Sequence, residues 1–266
     1  MKVTIVTVCF NAAATLRDTL ESVAHQTHPH VEHILIDGGS TDTTRDVVRS
    51  YGMHLSCFVS EPDRGLYDAM NKGAAMATGD VLAFLNADDW YAHPSVLATV
   101  AERFEQGADL VYGDLDFIDP EPPFHVRRLW RDSQRRASDF LRLGWQPAHP
   151  STFVRTTLFR QVGGFDLRWR ISADYAFLAK CMMQPLVLEH LPRTLVNMRL
   201  GGASTNGLRA VWRANRECAA ALRDLGVPLP WATIALKTMR KLPQKLAATR
   251  GATALRPRDN ANLAAT

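Results

Sequence analysis

Two acidic stations in the chain have the residue types and settings that transfer chemistry uses. Asp88 and Asp89 follow the apolar run Val81-Leu82-Ala83-Phe84-Leu85 with no glycine to form a turn. Adjacent carboxylates repel each other unless something positive sits between them and a ligand. A hard divalent ion meets that need, because it takes carboxylate and phosphate oxygens together and would neutralise a departing diphosphate. The plainer alternative is a solvated loop in which an aspartate caps a helix. Asp37 opens the second station, Asp37-Gly38-Gly39-Ser40-Thr41-Asp42. Its glycines let a backbone approach a ligand closely, and its carboxylate suits the donors of a uracil or ribose. A βα turn in which Ser40 or Thr41 caps the next helix explains the same residues without a ligand.

For these carboxylates to meet, they must stand at the ends of buried strands. Val3-Thr4-Ile5-Val6-Thr7-Val8 is β-branched and apolar on both faces, as a central parallel strand is. A helix follows Asn11, with Leu16, Leu20 and Val23 at helical spacing. The pattern continues as a strand over 31–36, a helix over about 43–51, a short strand at 54–60 and a helix over about 65–77 that Gly79 stops. A buried strand at 81–85 then runs into Asn86-Ala87-Asp88-Asp89, ahead of a helix around 94–105 and a strand at 110–112. This alternation predicts an α/β fold with a mostly parallel central sheet flanked by helices, and ligands beyond the carboxyl ends of its strands. Past residue 115 the pattern loosens. A loop lies at 119–123, residues 127–142 carry six arginines against two aspartates, a turn falls at 147–150, and helices are expected over about 173–183 and 208–225.

Composition narrows the class. The 266 residues can bury a full core, and 46% hydrophobic with 22% charged is ordinary for a soluble globular chain. A net charge of +4 is too modest to indicate a nucleic-acid partner. Cys9, Cys57, Cys181 and Cys218 form no CxxC or Cys/His cluster and read as reduced core residues of a reducing compartment. Met1-Lys2 leads straight into a strand, without a signal peptide. No run reaches the ~18 apolar residues of a membrane span, so the cytoplasm is the expected location. The chain has neither GxGxxG nor GxxxxGK[ST], which counts against a dehydrogenase and a P-loop NTPase.

Read in order, the motifs resemble a family 2 glycosyltransferase of the GT-A fold, of the polysaccharide-biosynthesis type. They are Val6-Thr7-Val8-Cys9-Phe10-Asn11, the Asp37 to Asp42 turn, the stretch from Ser60 to Gly73, Ala77-Thr78-Gly79-Asp80 and Leu85-Asn86-Ala87-Asp88-Asp89. His149-Pro150-Ser151-Thr152-Phe153, Gly163-Gly164-Phe165-Asp166 and Ser172-Ala173-Asp174 complete the set, over about residues 3–200. The resemblance implies that Thr7 and Asn11 lie against the nucleotide and that Asp37 holds its base or ribose. It sets Asp63 and Arg64 at the nucleotide or its phosphates, Asp88 near the ribose, and Asp89 with Asp88 on Mg²⁺ or Mn²⁺. Asp174 matches the place of the catalytic base, which an alcohol acceptor needs because it attacks poorly until its proton is withdrawn; a plain helix-terminal charge is the alternative. His149 is implied in the acceptor-side wall near the reaction, or is structural. The segment from Arg199 to Ser204 is similar to one that approaches the diphosphate. Trp90 and Trp169 either stack on sugars or are core.

The implied partners are a nucleoside-diphosphate-sugar donor, UDP- or GDP-linked, and a glycan or lipid-linked acceptor. Processive relatives carry Gln-x-x-Arg-Trp and membrane spans, and this chain carries neither, which favours single addition. Residues 1–205 are expected to form the GT-A domain, with a nucleotide-binding half at about 1–115 and an acceptor half at about 116–205. Residues 206–266 are expected to be a basic helical extension with a disordered end. There Trp231, Ile234, Ala235, Leu242 and Leu246 interleave with Lys237, Arg240, Lys241, Lys245 and Arg250, suiting an anionic membrane surface on the cytoplasmic side or a helix packed on the domain. The arginines of 127–142 could face a lipid's phosphates. Two rival readings are a nucleotidyltransferase, which wants a Gly-Gly-x-Gly-Thr-Arg loop that Cys9-Phe10-Asn11-Ala12-Ala13-Ala14 is not, and a binding protein that lost the chemistry.

Overall fold

The protein is seen in a computed structural model that describes residues 1–201, 208–240 and 254–255. Its elements run β1 (Val3–Cys9), α1 (Leu16–Ala24), β2 (Val31–Asp37), α2 (Thr44–Ser50), β3 (Cys57–Ser60), α3 (Leu66–Met76) and β4 (Val81–Asn86). Next come β5 (Trp90–Tyr91), α4 (Val96–Glu105), β6 (Leu110–Ile118), β7 (Phe124–Trp130), α5 (Asp139–Leu143), β8 (Thr152–Arg155) and α6 (Thr156–Gln161). α7 (Ala173–Met182), β9 (Leu188–Arg199), α8 (Leu208–Asp224), α9 (Pro230–Arg240) and β10 (Ala254–Leu255) complete the order. The end after residue 256, and Leu242, Leu246, Lys241, Lys245 and Arg250, lie outside the described residues.

The sheet order is β10-β7-β6-β8-β4-β1-β2-β3, with β9 beside β6 and β5 beside β9. β1 to β4 pair in parallel, as the alternating pattern requires. The second half is antiparallel where β8 joins β4 and β6 and where β7 folds back on β6, so the sheet is mixed. Odd and even residues of β1 serve opposite faces. Val6 and Val8 join a core under α3, α6 and α7, whereas Val3 and Ile5 join another under α4. Because both faces are covered, both sets of positions are apolar.

Register places the acidic stations together. Cys9 pairs with Asp37 and Val8 with Asn86, so β1, β2 and β4 end at one level. The Asp37 turn and the Asp88-Asp89 turn therefore share one edge of the sheet. Three elements differ from the sequence pattern. The strand expected at 54–60 starts only at Cys57, because Gly52–His54 forms a short 3-10 turn. β7 runs through the arginine-rich stretch, whose charge suits a strand near the sheet edge. β9 is twelve residues long despite Pro192, whose missing N–H ordinarily demotes a strand. Its ladder with β6 steps from Gly113–Leu191 to Asp114–Thr194, leaving Pro192 unpaired in a bulge. Among the described residues no helix is long and apolar enough to cross a membrane.

Candidate active site

Asp37 ends β2 and is fully buried, at 0% exposure. Its oxygens accept from the Ser40 N–H at 3.1 and 3.2 Å, from the Ser40 hydroxyl, and from the Ser60 hydroxyl at 2.6 Å. The carboxylate thus ties the turn after β2 to the end of β3. Asn11, in the left-handed region at φ 49°, accepts at its side-chain oxygen from the Thr41 N–H at 2.9 Å. It staples the first loop to the second while staying exposed. Thr7, which the resemblance sets against the nucleotide, is wholly buried, with its hydroxyl 2.9 Å from His33 Nε2. The strand register puts it two residues short of the edge, on the inner face of the sheet.

Asp63 lies over the Asp37 turn. A Cβ on Gly38 would push its carboxylate aside. The Asp63 oxygen accepts from the Gly65 N–H at 2.7 Å and opens the way into α3. Arg64 is exposed and bent onto Asp68 at 2.8 Å.

Asp88 and Asp89 occupy a tight turn, with the Asp89 N–H donating to the Asn86 carbonyl at 3.1 Å. Asp89 is fully buried and Asp88 half-buried. Burial, and then the Asp88 charge, push Asp89 well above the usual carboxylate range, and burial raises Asp88 too. Asp89 receives only two long bonds, at 3.3 Å each, from the Asn86 side-chain amide and the Arg199 backbone N–H. The side-chain oxygen of Asn86 is buried without a partner. Two strained carboxylates beside an unsatisfied oxygen make an all-oxygen donor set of the kind a hard cation takes. Among the described residues no three His, Cys, Asp or Glu side chains gather into a cage, so any cation here would share its shell with ligand oxygens.

Arg199, which opens the segment that the resemblance brings to the diphosphate, packs against the Asp88-Asp89 turn, 5% exposed. Its guanidinium donates to the Asp88 carbonyl at 2.8 Å and to Asp18, and packs 4.6 Å from the Trp90 ring and 5.1 Å from Phe124. Trp90 is accordingly core and no sugar platform. Trp169 is partly buried beneath the Arg168 guanidinium. Residues 202–204 of that segment lie outside the described residues.

Asp174 stands in the first turn of α7, where the helix dipole favours a negative charge. Its Oδ1 accepts from the Tyr175 N–H at 2.8 Å and lies 3.0 Å from the Tyr67 hydroxyl. Its Oδ2 has no partner among the described residues. The turn is anchored by Glu217 of α8, which accepts from the Ile171 and Ser172 N–H groups at 2.8 and 3.0 Å. Tyr67 was not singled out in the sequence, although it sits three residues after Arg64 within a motif already quoted. Burial and the Asp174 charge hold its phenol well above the usual range, so it stays a donor. His149 stacks on Phe84 at 5.8 Å and meets Phe165 edge-on at 5.5 Å. Burial pulls its imidazole down against the opposing influence of Asp174, which keeps it neutral. Through His149 the Asp174 group is linked to Phe84 of β4, two residues before Asn86, and through Tyr67 to α3, which follows Asp63.

The Glycosyl transferase family 2 model matches residues 4–163, more than half of the chain. The chain belongs to that family. A PGL/p-HBAD biosynthesis glycosyltransferase of Mycobacterium bovis is 35% identical over 193 residues, 70% of this chain and 72% of the relative. An uncharacterized glycosyltransferase of Nostoc sp. is 31% identical over 225 residues, 77% of this chain and 67% of the relative. Among solved structures, S. aureus TarS superposes with TM-score 0.68 at 17% identity, over 91% of this chain and 43% of that one. The mannosyltransferase PcManGT of Pyrobaculum calidifontis, in complex with GDP-Man and Mn²⁺, gives 0.62 at 19% identity, over 99% of this chain and 78% of that one. The fold is therefore GT-A and the enzyme is a family 2 glycosyltransferase.

Proposed function

We propose that this glycosyltransferase moves a sugar from a UDP- or GDP-sugar to an alcohol of a glycan or lipid-linked acceptor. Transfer is one inverting displacement that depends on Mg²⁺ or Mn²⁺, and it serves surface polysaccharide assembly on the cytoplasmic side of a membrane. The observation that carries the reading is Asp174: one oxygen is fixed by Tyr67 and Tyr175 and the other is open. A carboxylate so held accepts a proton in a defined direction, worth ~10²–10⁴-fold to an alcohol nucleophile. The acceptor oxygen attacks the anomeric carbon as its proton passes to Asp174 Oδ2, and the bond from that carbon to the diphosphate breaks. Attack from the side opposite the leaving group inverts the centre. Neutral His149 holds the acceptor-side wall. Asp63 and Asn11 border the nucleotide, with residues 1–115 as the donor half and 116–205 as the acceptor half.

Asp89 and Asp88, with the Asn86 oxygen, would hold the divalent ion. When bound, that ion offsets the charge gathering on the diphosphate. The donor class is supported by two neighbours: residues 1–349 of S. aureus TarS, in complex with UDP-GlcNAc, and PcManGT with GDP-Man and Mn²⁺. A lipid-linked acceptor is supported by exposed Trp212 on α8, with Arg216 5.2 Å over its ring, and by exposed Leu229, Trp231 and Met239 before and along α9, residue types suited to an anionic membrane. The test is transfer from a panel of nucleotide-sugars with and without Mn²⁺. Asp89→Ala and Asp174→Asn should each lower turnover by ~10²-fold or more, and Asp174→Asn should keep donor affinity. Wild-type turnover in Asp174→Asn would remove the base.

A further inference from the structure

α5 ends at Gly144, whose φ of 59° is left-handed. There α9 comes so near that a Cβ on Gly144 would overlap the Lys237 nitrogen and the Thr233 carbonyl. The approach turns Lys237 inward, with Thr233 and Ile234, rather than out with the basic residues of a membrane-facing helix. Lys237 is 8% exposed. Its ammonium sits 4.2 Å from the Tyr175 ring centre and 3.2 Å from the Cys218 sulfur, and no carboxylate among the described residues pairs with it. A ring and a thiol are weak substitutes for the water or anion that a buried ammonium loses.

Beside Lys237 lies a cavity of about 330 Å³. Arg131, Arg135, Lys237 and Arg240 line it against one carboxylate, Asp132. Asp132 is already engaged by Arg135 at 3.4 Å and by the Trp145 indole N–H, and Arg131 by Asp116 and Asp114. Lys237 and Arg240 are left without an anion among the described residues. Gln146 also lines the cavity. The cavity wall thus carries four cationic side chains against one carboxylate. Tyr175, against which the Lys237 ammonium rests, follows Asp174 in the chain, and Gln146 precedes His149 by three residues.

We propose that this cavity binds a phosphate group of the acceptor, as a phosphorylated sugar or a lipid phosphate. Cationic side chains and phosphate oxygens make the stronger class of hydrogen bond. Anion binding stands on the cavity alone, whereas its service to acceptor placement rests on Asp174 as the base. The arginine-rich stretch of the sequence then has a use: β7 and the turns after it carry Arg131 and Arg135 to the cavity wall.

The experiment titrates the full chain calorimetrically with inorganic pyrophosphate in EDTA, which removes any cation from Asp88 and Asp89. Lys237→Met and Arg240→Gln should each weaken binding about tenfold or more. Asp89→Ala and Arg209→Gln, whose arginine is exposed on α8, should not. Wild-type affinity in Arg240→Gln and in a folded Lys237→Met overturns the proposal, as does loss confined to Asp89→Ala. If Lys237→Met does not fold, Arg240→Gln against Arg209→Gln decides. Flotation with phosphatidylcholine vesicles, plain or doped with a polyprenyl phosphate, separates the sources. Recruitment only by doped vesicles, weakened by Arg240→Gln, assigns a lipid phosphate. Pyrophosphate binding without such recruitment assigns a soluble one. Pyrophosphate binding that depends on Arg240, beside full turnover in Asp174→Asn, would keep the cavity and sink the base.

Discussion

Acidification offers a quantitative probe of the sheet beneath the site. His33 is 2% exposed between β1 and β3, and burial lowers its imidazole from 6.5 to about 3. The folded state therefore refuses a proton that the unfolded chain accepts once the pH falls below 6.5. The sign follows: stability is full above pH 6.5 and is lost as the pH drops toward 3. At pH 5 the unfolded imidazole is nearly all protonated and the folded one is not, which costs about 2 kcal/mol. Glu32, lowered to about 2 by Lys2, Thr78 and Thr4 against the effect of burial, loses its contribution at lower pH and adds only about 0.2 kcal/mol at pH 5. His33→Gln removes the titration and keeps a polar partner for Thr7. Denaturant unfolding at pH 7 and pH 5 should show the wild type losing about 2 kcal/mol more than this variant across that interval. Other histidines cancel in the comparison. Equal losses in both proteins would refute the burial argument, and with it the placing of Thr7 inside the sheet.

Tyr67→Phe removes one hydrogen bond to a charged carboxylate, so kcat should fall about tenfold with donor KM unchanged, read by steady-state kinetics. A rise in donor KM alone would place Tyr67 on the donor side. Arg199→Met removes the cation beneath the Asp88-Asp89 turn. Because Asp18 is partly solvated, the expected loss is about 2 kcal/mol rather than that of a fully buried pair, measured by thermal unfolding. An unchanged melting temperature with a raised donor KM would instead mean that Arg199 contacts the diphosphate.

The parts of the site legible in the sequence were those set by strand ends. Doubly buried parallel strands are continuous apolar runs, so the residue that breaks each run marks an edge, and Asp37 and Asp88-Asp89 fall there. The antiparallel half was hidden for three local reasons. β8 is four residues long, β7 carries arginines, and β9 contains Pro192 in a bulge that periodicity does not reveal. Side-chain direction was illegible throughout. Thr7, Asp37 and Arg199 stand at or near the expected edge, and the sequence gives no sign of their partners there, which are His33, Ser40 with Ser60, and Asp88 with Asp18. No motif encodes those partners, because each comes from a different segment of the chain.

These turned-in residues explain how the edge keeps its charges apart yet close. Asp37 accepts from donors of its own turn and of β3, beneath the Gly38 that Asp63 overlies. Asp89 has no comparable donors. Its two bonds are long, its nearest cation lies below rather than in front, and the adjoining Asn86 oxygen is unsatisfied. Asp174 has a third arrangement, with one oxygen fixed and one open. The three carboxylates therefore differ in their partners: Asp37 has its acceptors filled, Asp89 has two long bonds and is pushed up by burial, and Asp174 keeps one oxygen without a partner among the described residues. That difference in partners, more than the presence of acidic residues, separates the parts that equal side chains can play at one site.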